Sequence, residues 1–188
     1  MSDIDLEPAN VKIAIMAVLR QEDSTLSGKI TNTPGDTGGM TRFGMASKWH
    51  PELRSTTFYS TMSTADALQV AVNTLNLQYA EPMKIGQIAE QAIATKLLSL
   101  GVNAGTHVAV SILQRAVNEN LVSARSKVGA DVVDGEMGPD TISFVNLADG
   151  QFLLAEFRLA IVQFYVDLCN RRQADRNELL GWLNRALA

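Results

Sequence analysis

Glu22-Asp23-Ser24-Thr25-Leu26-Ser27-Gly28-Lys29-Ile30-Thr31-Asn32-Thr33-Pro34-Gly35-Asp36-Thr37-Gly38-Gly39-Met40-Thr41-Arg42-Phe43-Gly44 is the stretch in which a helix ends and a polar, glycine-rich loop begins. Upstream, Val11, Ile15, Val18 and Glu22 are spaced by four, three and four residues. That spacing places all of them on one face of a helix. Pro8 suits the first turn of that helix, and Asp3, Asp5 and Glu7 suit its positive end. Glu22 therefore continues an apolar stripe to the far end. Partial burial there and the negative end of the helix dipole both favour a protonated carboxyl.

Asp36 has a different setting. Pro34-Gly35 and Gly38-Gly39 are turn signals, and Ser24 to Thr41 shows no helical period. Ile30, Thr31 and Thr33 before the turn are expected to pair with Met40 to Met45 after it as a small hairpin. An aspartate on such a loop stays ionised. Two carboxylates in unlike settings suit glycoside cleavage, one protonating a leaving oxygen and the other serving the opposite face. Thr41 offers a hydroxyl that can hold a water. The plainer alternatives are a Glu22 bent into solvent, an Asp36 capping its own turn and a Thr41 that is an ordinary strand residue.

Composition narrows the field. The chain has 188 residues, 46% hydrophobic and 19% charged, enough for one domain with a substantial core. A net charge of −4 argues against nucleic acid as the main partner. The single cysteine, Cys169, cannot form an internal disulfide and reads as a packed thiol on a helix. His50 and His107 are far apart, and no cluster has metal-ligand spacing. No cofactor is therefore expected. No segment approaches the ~20 apolar residues of a membrane span, so membrane insertion is not expected. Val11 to Leu19 lacks the basic flank of a secretory leader. The chain is expected to be made in the cytoplasm and to act after release or export.

The rest reads as helices. Ser63 with Asp66 resembles a capping box, opening a helix with Leu68, Val72, Leu75 and Tyr79 on its face and Pro82 beyond its end. A second helix is expected over Gln87 to Leu100, using Ile85, Ile88, Ala92 and Leu98, and stopped by Gly101. A third starts near Thr106 and carries Ala109, Ile112, Leu113, Ala116 and Val117. A loop is expected from Ser123 to Asp140. A long helix from Asp149 to Arg171 has Leu153, Phe157, Ala160, Phe164 and Leu168 as expected core. A short last helix carries Leu179, Leu183 and Leu187. The polar stretch from Ser55 to Ser63 is the one candidate lobe boundary. The class is mainly α, with one small β-hairpin lobe.

Several motifs then converge in order: Asp36-Thr37-Gly38-Gly39-Met40-Thr41-Arg42-Phe43-Gly44, Asn103-Ala104-Gly105, Leu113-Gln114, Asp134-Gly135-Glu136-Met137-Gly138-Pro139-Asp140-Thr141 and Gly181-Trp182-Leu183-Asn184-Arg185. With Glu22 at the end of the first helix, they resemble glycoside hydrolase family 108. These are lysozyme-like, phage-type N-acetylmuramidases with a C-terminal region similar to a peptidoglycan-binding element. The resemblance implies a lysozyme-like catalytic region over 1–100 and a helical, peptidoglycan-binding-like region over 101–188, packed as one unit. It implies cleavage of the β-1,4 bond between N-acetylmuramic acid and N-acetylglucosamine, with Glu22 as general acid and Asp36 and Thr41 placing or activating water. Arg42, Tyr79 and Asn103 are the substrate-binding residues expected by the same resemblance. The partners implied are peptidoglycan glycan strands, and a holin or a secretion machinery as the route to them.

Two positions depart from the family pattern. Glu-Gly-Gly has become Glu22-Asp23-Ser24, and a Tyr-Trp pair has become Tyr79-Ala80. Asp23 either acts on Glu22 by like-charge repulsion or caps the turn. These departures keep open a second reading, a peptidoglycan-binding or structural module that retains the fold without turnover. The Asp134 to Thr141 motif likewise reads either as a peptidoglycan-binding element or as a helix-capping loop.

Overall fold

The computed structural model describes residues 8–32, 38–123 and 132–187. The first helix, α1 (Ala9–Glu22), ends at the glutamate singled out by the sequence. Pro8 is its N-cap residue rather than part of its first turn. Asp3, Asp5 and Glu7 lie outside the described residues. Val11, Ala14, Ile15, Val18 and Leu19 are buried, which is the expected stripe widened by its flanking positions. Two side chains fix how the helix lies. The Asn10 amide donates to the carbonyls of Ile85 and Ile88 at 3.1 and 3.0 Å. Gln21 accepts from the Ser99 hydroxyl at 2.9 Å, pinning the turn that carries Glu22.

The hairpin is shorter than the sequence suggests. Strands β1 (Thr41–Arg42) and β2 (Met45–Ala46) pair antiparallel, with Arg42 opposite Met45. Phe43 and Gly44 form the two-residue loop, both with positive φ (50° and 78°), as a type I′ turn requires. The expected partner strand before the loop contributes a single bridge, Thr31 to Thr41. The polar stretch from Ser55 to Ser63 does not separate lobes. It carries Phe58 and Tyr59 into the core, edge to face at 4.8 Å.

Ser63 caps α2 (Thr64–Leu75), accepting from the Asp66 N–H at 3.1 Å. Its buried row is Ala67, Ala71, Val72 and Leu75, with Leu68 only half-buried. The ladder then widens into a π turn, Asn76–Ala80, before Pro82. The next helix, α3 (Gln91–Ala104), starts four residues later than the sequence suggests, because Ile85–Gln87 form a 3-10 turn. Ile85 and Ile88 are buried from that turn and its exit, while Ala92 is exposed. Gly101 does not stop α3. It lies inside the helix, where an added Cβ would meet Met83 Cε at 2.4 Å. The stop is Gly105, with φ +91°. Ile93, Ala94 and Lys96 to Gly101 are buried, so the second half of α3 is the central strut of the molecule.

Around α3 pack α1 and α4 (Thr106–Ser123), and α6 (Gly150–Arg171) packs along α4. All of Ala109, Ile112, Leu113, Ala116 and Val117 are buried, as their spacing predicts. Helix α5 (Pro139–Leu147) occupies residues the periodicity leaves unassigned. Pro139 at its first turn was the available signal. In α6 the buried residues are Leu153, Phe157, Ile161, Tyr165 and Cys169, not Ala160, Phe164 and Leu168. They form a strict every-fourth-residue ridge, which is inclined to the helix axis. The ridge turns the buried face from α4 toward α7 (Leu179–Leu187), where Trp182 stacks on Tyr165 at 5.1 Å. In α7 the residues packed on the core are Leu179, Trp182 and Ala186, while Leu183 is half-buried and Leu187 is exposed. One hydrophobic cluster runs from Val11 to Ala186. No helix of the described residues is long and apolar enough to cross a membrane.

Candidate active site

Glu22 projects from the last turn of α1 into an open cleft of about 300 Å³. Asp23, Ser24, Ser27, Lys29, Thr31, Thr41, Phe43 and Gly44 complete the lining. The hairpin turn backs directly onto the glutamate. A Cβ on Gly44 would lie 2.8 Å from Glu22 Cγ and 3.0 Å from its Cβ. Glycine at this point satisfies two demands at once, the positive φ of the turn and the close passage of the Glu22 stem. The carboxylate is less buried than the stripe suggests, with its side chain 36% exposed. Its Oε1 faces Arg185 Nη2 of α7 at 3.6 Å.

The loop that replaces the family glycines is built by Asp23. Its Oδ2 accepts from the Gly28 N–H at 2.8 Å and the Ser27 hydroxyl at 3.0 Å, and its Oδ1 accepts from Thr25 at 3.2 Å. Slight burial pushes its carboxyl up, and these hydrogen bonds outweigh that and hold it below the ordinary value of 3.8. Asp23 therefore caps the turn, its oxygens aimed into the loop. The chain bends sharply without Gly-Gly because Leu26 and Gly28 both take positive φ (51° and 63°). Gly28 packs against Phe43, where a Cβ would meet the ring at 2.6 Å.

Thr41 and Thr31 face the cleft together, joined through paired backbone hydrogen bonds of 2.9 and 2.8 Å. Glu22 and Thr41 are thus brought into one site. Asp36 lies outside the described residues. Arg42 has a role other than the expected sugar contact. It is 4% exposed, donating through Nε to Gly28 O at 2.9 Å and through Nη1 to Phe58 O and Met62 O at 2.8 and 3.0 Å. Its guanidinium carbon lies 5.9 and 5.8 Å from the Phe43 and Phe58 ring centres. A guanidinium committed to three carbonyls and two rings is a fastener of the hairpin lobe. Tyr79 is half-buried on the π turn and is not among the described residues that line the cleft. Burial, then the charge of Glu52, pushes its phenol up.

Asn103 reaches the site indirectly. Its amide donates to Ser99 O at 2.7 Å, and its carbonyl oxygen accepts from Arg185 Nη1. The sequence pattern marked Arg185 only as part of a closing motif. Its proximity to Glu22 arises from the docking of α7 on α6 and α3, which no local pattern reveals. Ser27, Lys29 and Thr31 were also missed as cleft residues, although the polarity of the stretch from 24 to 31 was visible.

The Asp134 motif is tied to the fold. Gln114, buried in α4, donates to Asp134 Oδ1 at 2.8 Å, Glu136 O at 3.0 Å and Thr141 Oγ1 at 3.2 Å. It also accepts from the Gly135 N–H at 2.9 Å. The Gln114 amide and the Glu136 N–H hold the Asp134 carboxyl below its ordinary range. Gly138 and Pro139 then open α5. These contacts match the helix-capping reading. His107 packs its ring on Gly135. Among the described residues, no group of three or more His, Cys, Asp or Glu side chains is placed to hold a metal ion.

Residues 17–105 match the family model described as "Glycosyl hydrolase 108". Residues 108–187 match the one described as "Predicted Peptidoglycan domain". No curated protein matches the sequence. Among solved structures, the Brucella abortus protein SagA is similar in fold, with a TM-score of 0.59 and 18% identity over 94% of this chain and 93% of that one.

Proposed function

We propose, from the match of residues 17–105 to the glycosyl hydrolase 108 model and of residues 108–187 to the peptidoglycan domain model, that this chain is a peptidoglycan hydrolase of the muramidase type with Glu22 as its general acid. The observation that carries this reading is the seating of the Glu22 carboxyl at the wall of an open polar cleft, its stem fixed by Gly44. A glycan strand laid along the cleft would bring the oxygen between N-acetylmuramic acid and N-acetylglucosamine against that carboxyl. Proton transfer from Glu22 to this oxygen lets the C1–O bond break with its electron pair on the leaving sugar. Water held by Thr41 then adds to the oxocarbenium-like carbon and gives its proton to Asp36, the carboxylate of the opposite face. The Asp36 assignment rests on the loop motif in the sequence. Asn103 acts through Arg185 rather than on the sugar, and Tyr79 is left without a proposed sugar contact.

Mass analysis of muropeptides released from purified peptidoglycan tests this reading. Fragments ending in reducing N-acetylmuramic acid are expected. Anhydro ends would replace hydrolysis with internal transglycosylation, and an intact polymer that retains the protein would favour the binding-module reading. The proposal extends to wall degradation of the endolysin type, with the chain made in the cytoplasm and carried to peptidoglycan by a holin or a secretion machinery. The support for that extension is the phage-type motif order.

A further inference from the structure

The cation opposite Glu22 comes from the other end of the chain. Arg185 lies on the last helix, inside the region matching the peptidoglycan domain, whereas Glu22 lies inside the hydrolase match. We propose that Arg185 is a positioning residue for Glu22, so that the last helix completes the hydrolytic site. This inference rests on the reading of Glu22 as the acid.

Contacts to the guanidinium tip, to the Arg185 backbone and to its helix hold the residue where it is. Nη1 donates to the Asn103 carbonyl oxygen, and Asn103 is itself oriented by its bond to Ser99 O at 2.7 Å. The Arg185 carbonyl accepts from Lys96 Nζ at 2.9 Å, fixing the end of α7 from within α3. Lys96 is buried, and a buried ammonium on the final carbonyls of a helix is a favourable C-terminal cap. Ala186, the next residue, is buried, and Trp182 stacks on Tyr165 one turn earlier. The guanidinium is thus held from its backbone and from its tip.

Glu22 is less constrained. It is the last residue of its helix, and Arg185 is its one charged partner among the described residues. Asp23 turns its oxygens into the loop, and Lys29 lines the same cleft. Arg185 therefore sets the direction of the carboxyl. When Glu22 gives its proton to the leaving oxygen, negative charge develops on a carboxylate that already faces a fixed cation. An interaction that strengthens as charge develops raises turnover rather than substrate affinity.

The test compares wild type, Arg185→Gln, Arg185→Ala and Arg185→Lys for reducing ends released from purified peptidoglycan, with Tm measured for each. Arg185→Gln keeps a donor for Asn103 and removes the charge. The expected result is kcat lowered about tenfold or more in the Gln and Ala variants, with KM changed less than about twofold. Partial recovery is expected in Arg185→Lys. Should Arg185→Ala fold poorly, the Gln variant carries the test. Gln-variant turnover at the wild-type rate, or a loss confined to KM, overturns the proposal. Release of no reducing ends by wild type would instead overturn the reading of Glu22 on which it stands.

Discussion

Asp23 and Gly44 shape the surroundings of Glu22, the helix-terminal glutamate proposed as the acid. Asp23 stands where the family has glycine. Its side chain gathers three donors and closes the loop that lines the cleft beside Glu22. The expected outcome for Asp23→Ala is a loss of about 1 kcal/mol at neutral pH, seen as a lower urea midpoint. The sign of its pH dependence follows from a folded carboxyl held below 3.8. The contribution is full above the unfolded value and is lost as pH falls through the folded one. The gap between wild type and Asp23→Ala should therefore close in unfolding curves taken below about pH 3.8. Gly44 was legible as a glycine in a turn, but its contact with Glu22 was not, since that depends on the hairpin folding back on α1. Gly44→Ala forces a side chain into the Glu22 stem and a positive φ on alanine. Turnover should fall about a hundredfold through displacement of the carboxyl. An alanine variant with wild-type turnover would mean that Gly44 does not seat the acid.

Among the elements, the hairpin depends on buried ties from its surroundings, Arg42 on β1 and the Tyr59 hydroxyl, which donates to Met45 O at 3.1 Å. Two-residue strands cannot stand alone. Arg42 ties β1 to Gly28, Phe58 and Met62, across the loop on one side and the anchored Ser55 to Ser63 stretch on the other. The sequence motif pointed to Arg42 but not to its task, because an arginine beside a catalytic loop reads equally as a ligand contact or a buried tie. Arg42→Ala leaves buried carbonyls without a donor and should cost about 3 kcal/mol in chemical denaturation. Arg42→Lys should recover little of it, since one ammonium cannot span three carbonyls in a plane. Helix limits show the same division between local and remote causes. The Ser63 cap and the α4 stripe were readable because both signals are local. Gly101 misled because a helix-stopping residue was used instead for close packing under Met83. The α6 face was displaced by one residue beyond Phe157 because its partner changes along its length.

Across the whole molecule, the mainly α class and the ordered motifs could be read from the chain itself. The joining of its two ends could not. A core continuous from Val11 to Ala186 brings the last helix to the glutamate of the first. Burial periodicity identifies which face is inward, not which distant helix it meets. All of this converges on one carboxyl at the end of α1. The most direct measurement is the rate of reducing-end release from purified peptidoglycan by Glu22→Gln beside wild type, with circular dichroism and Tm recorded for both. The amide keeps the shape and removes the transferable proton. Unchanged folding with turnover lowered by about 10²-fold or more is expected. Wild-type turnover in the amide variant would show that another group protonates the leaving oxygen.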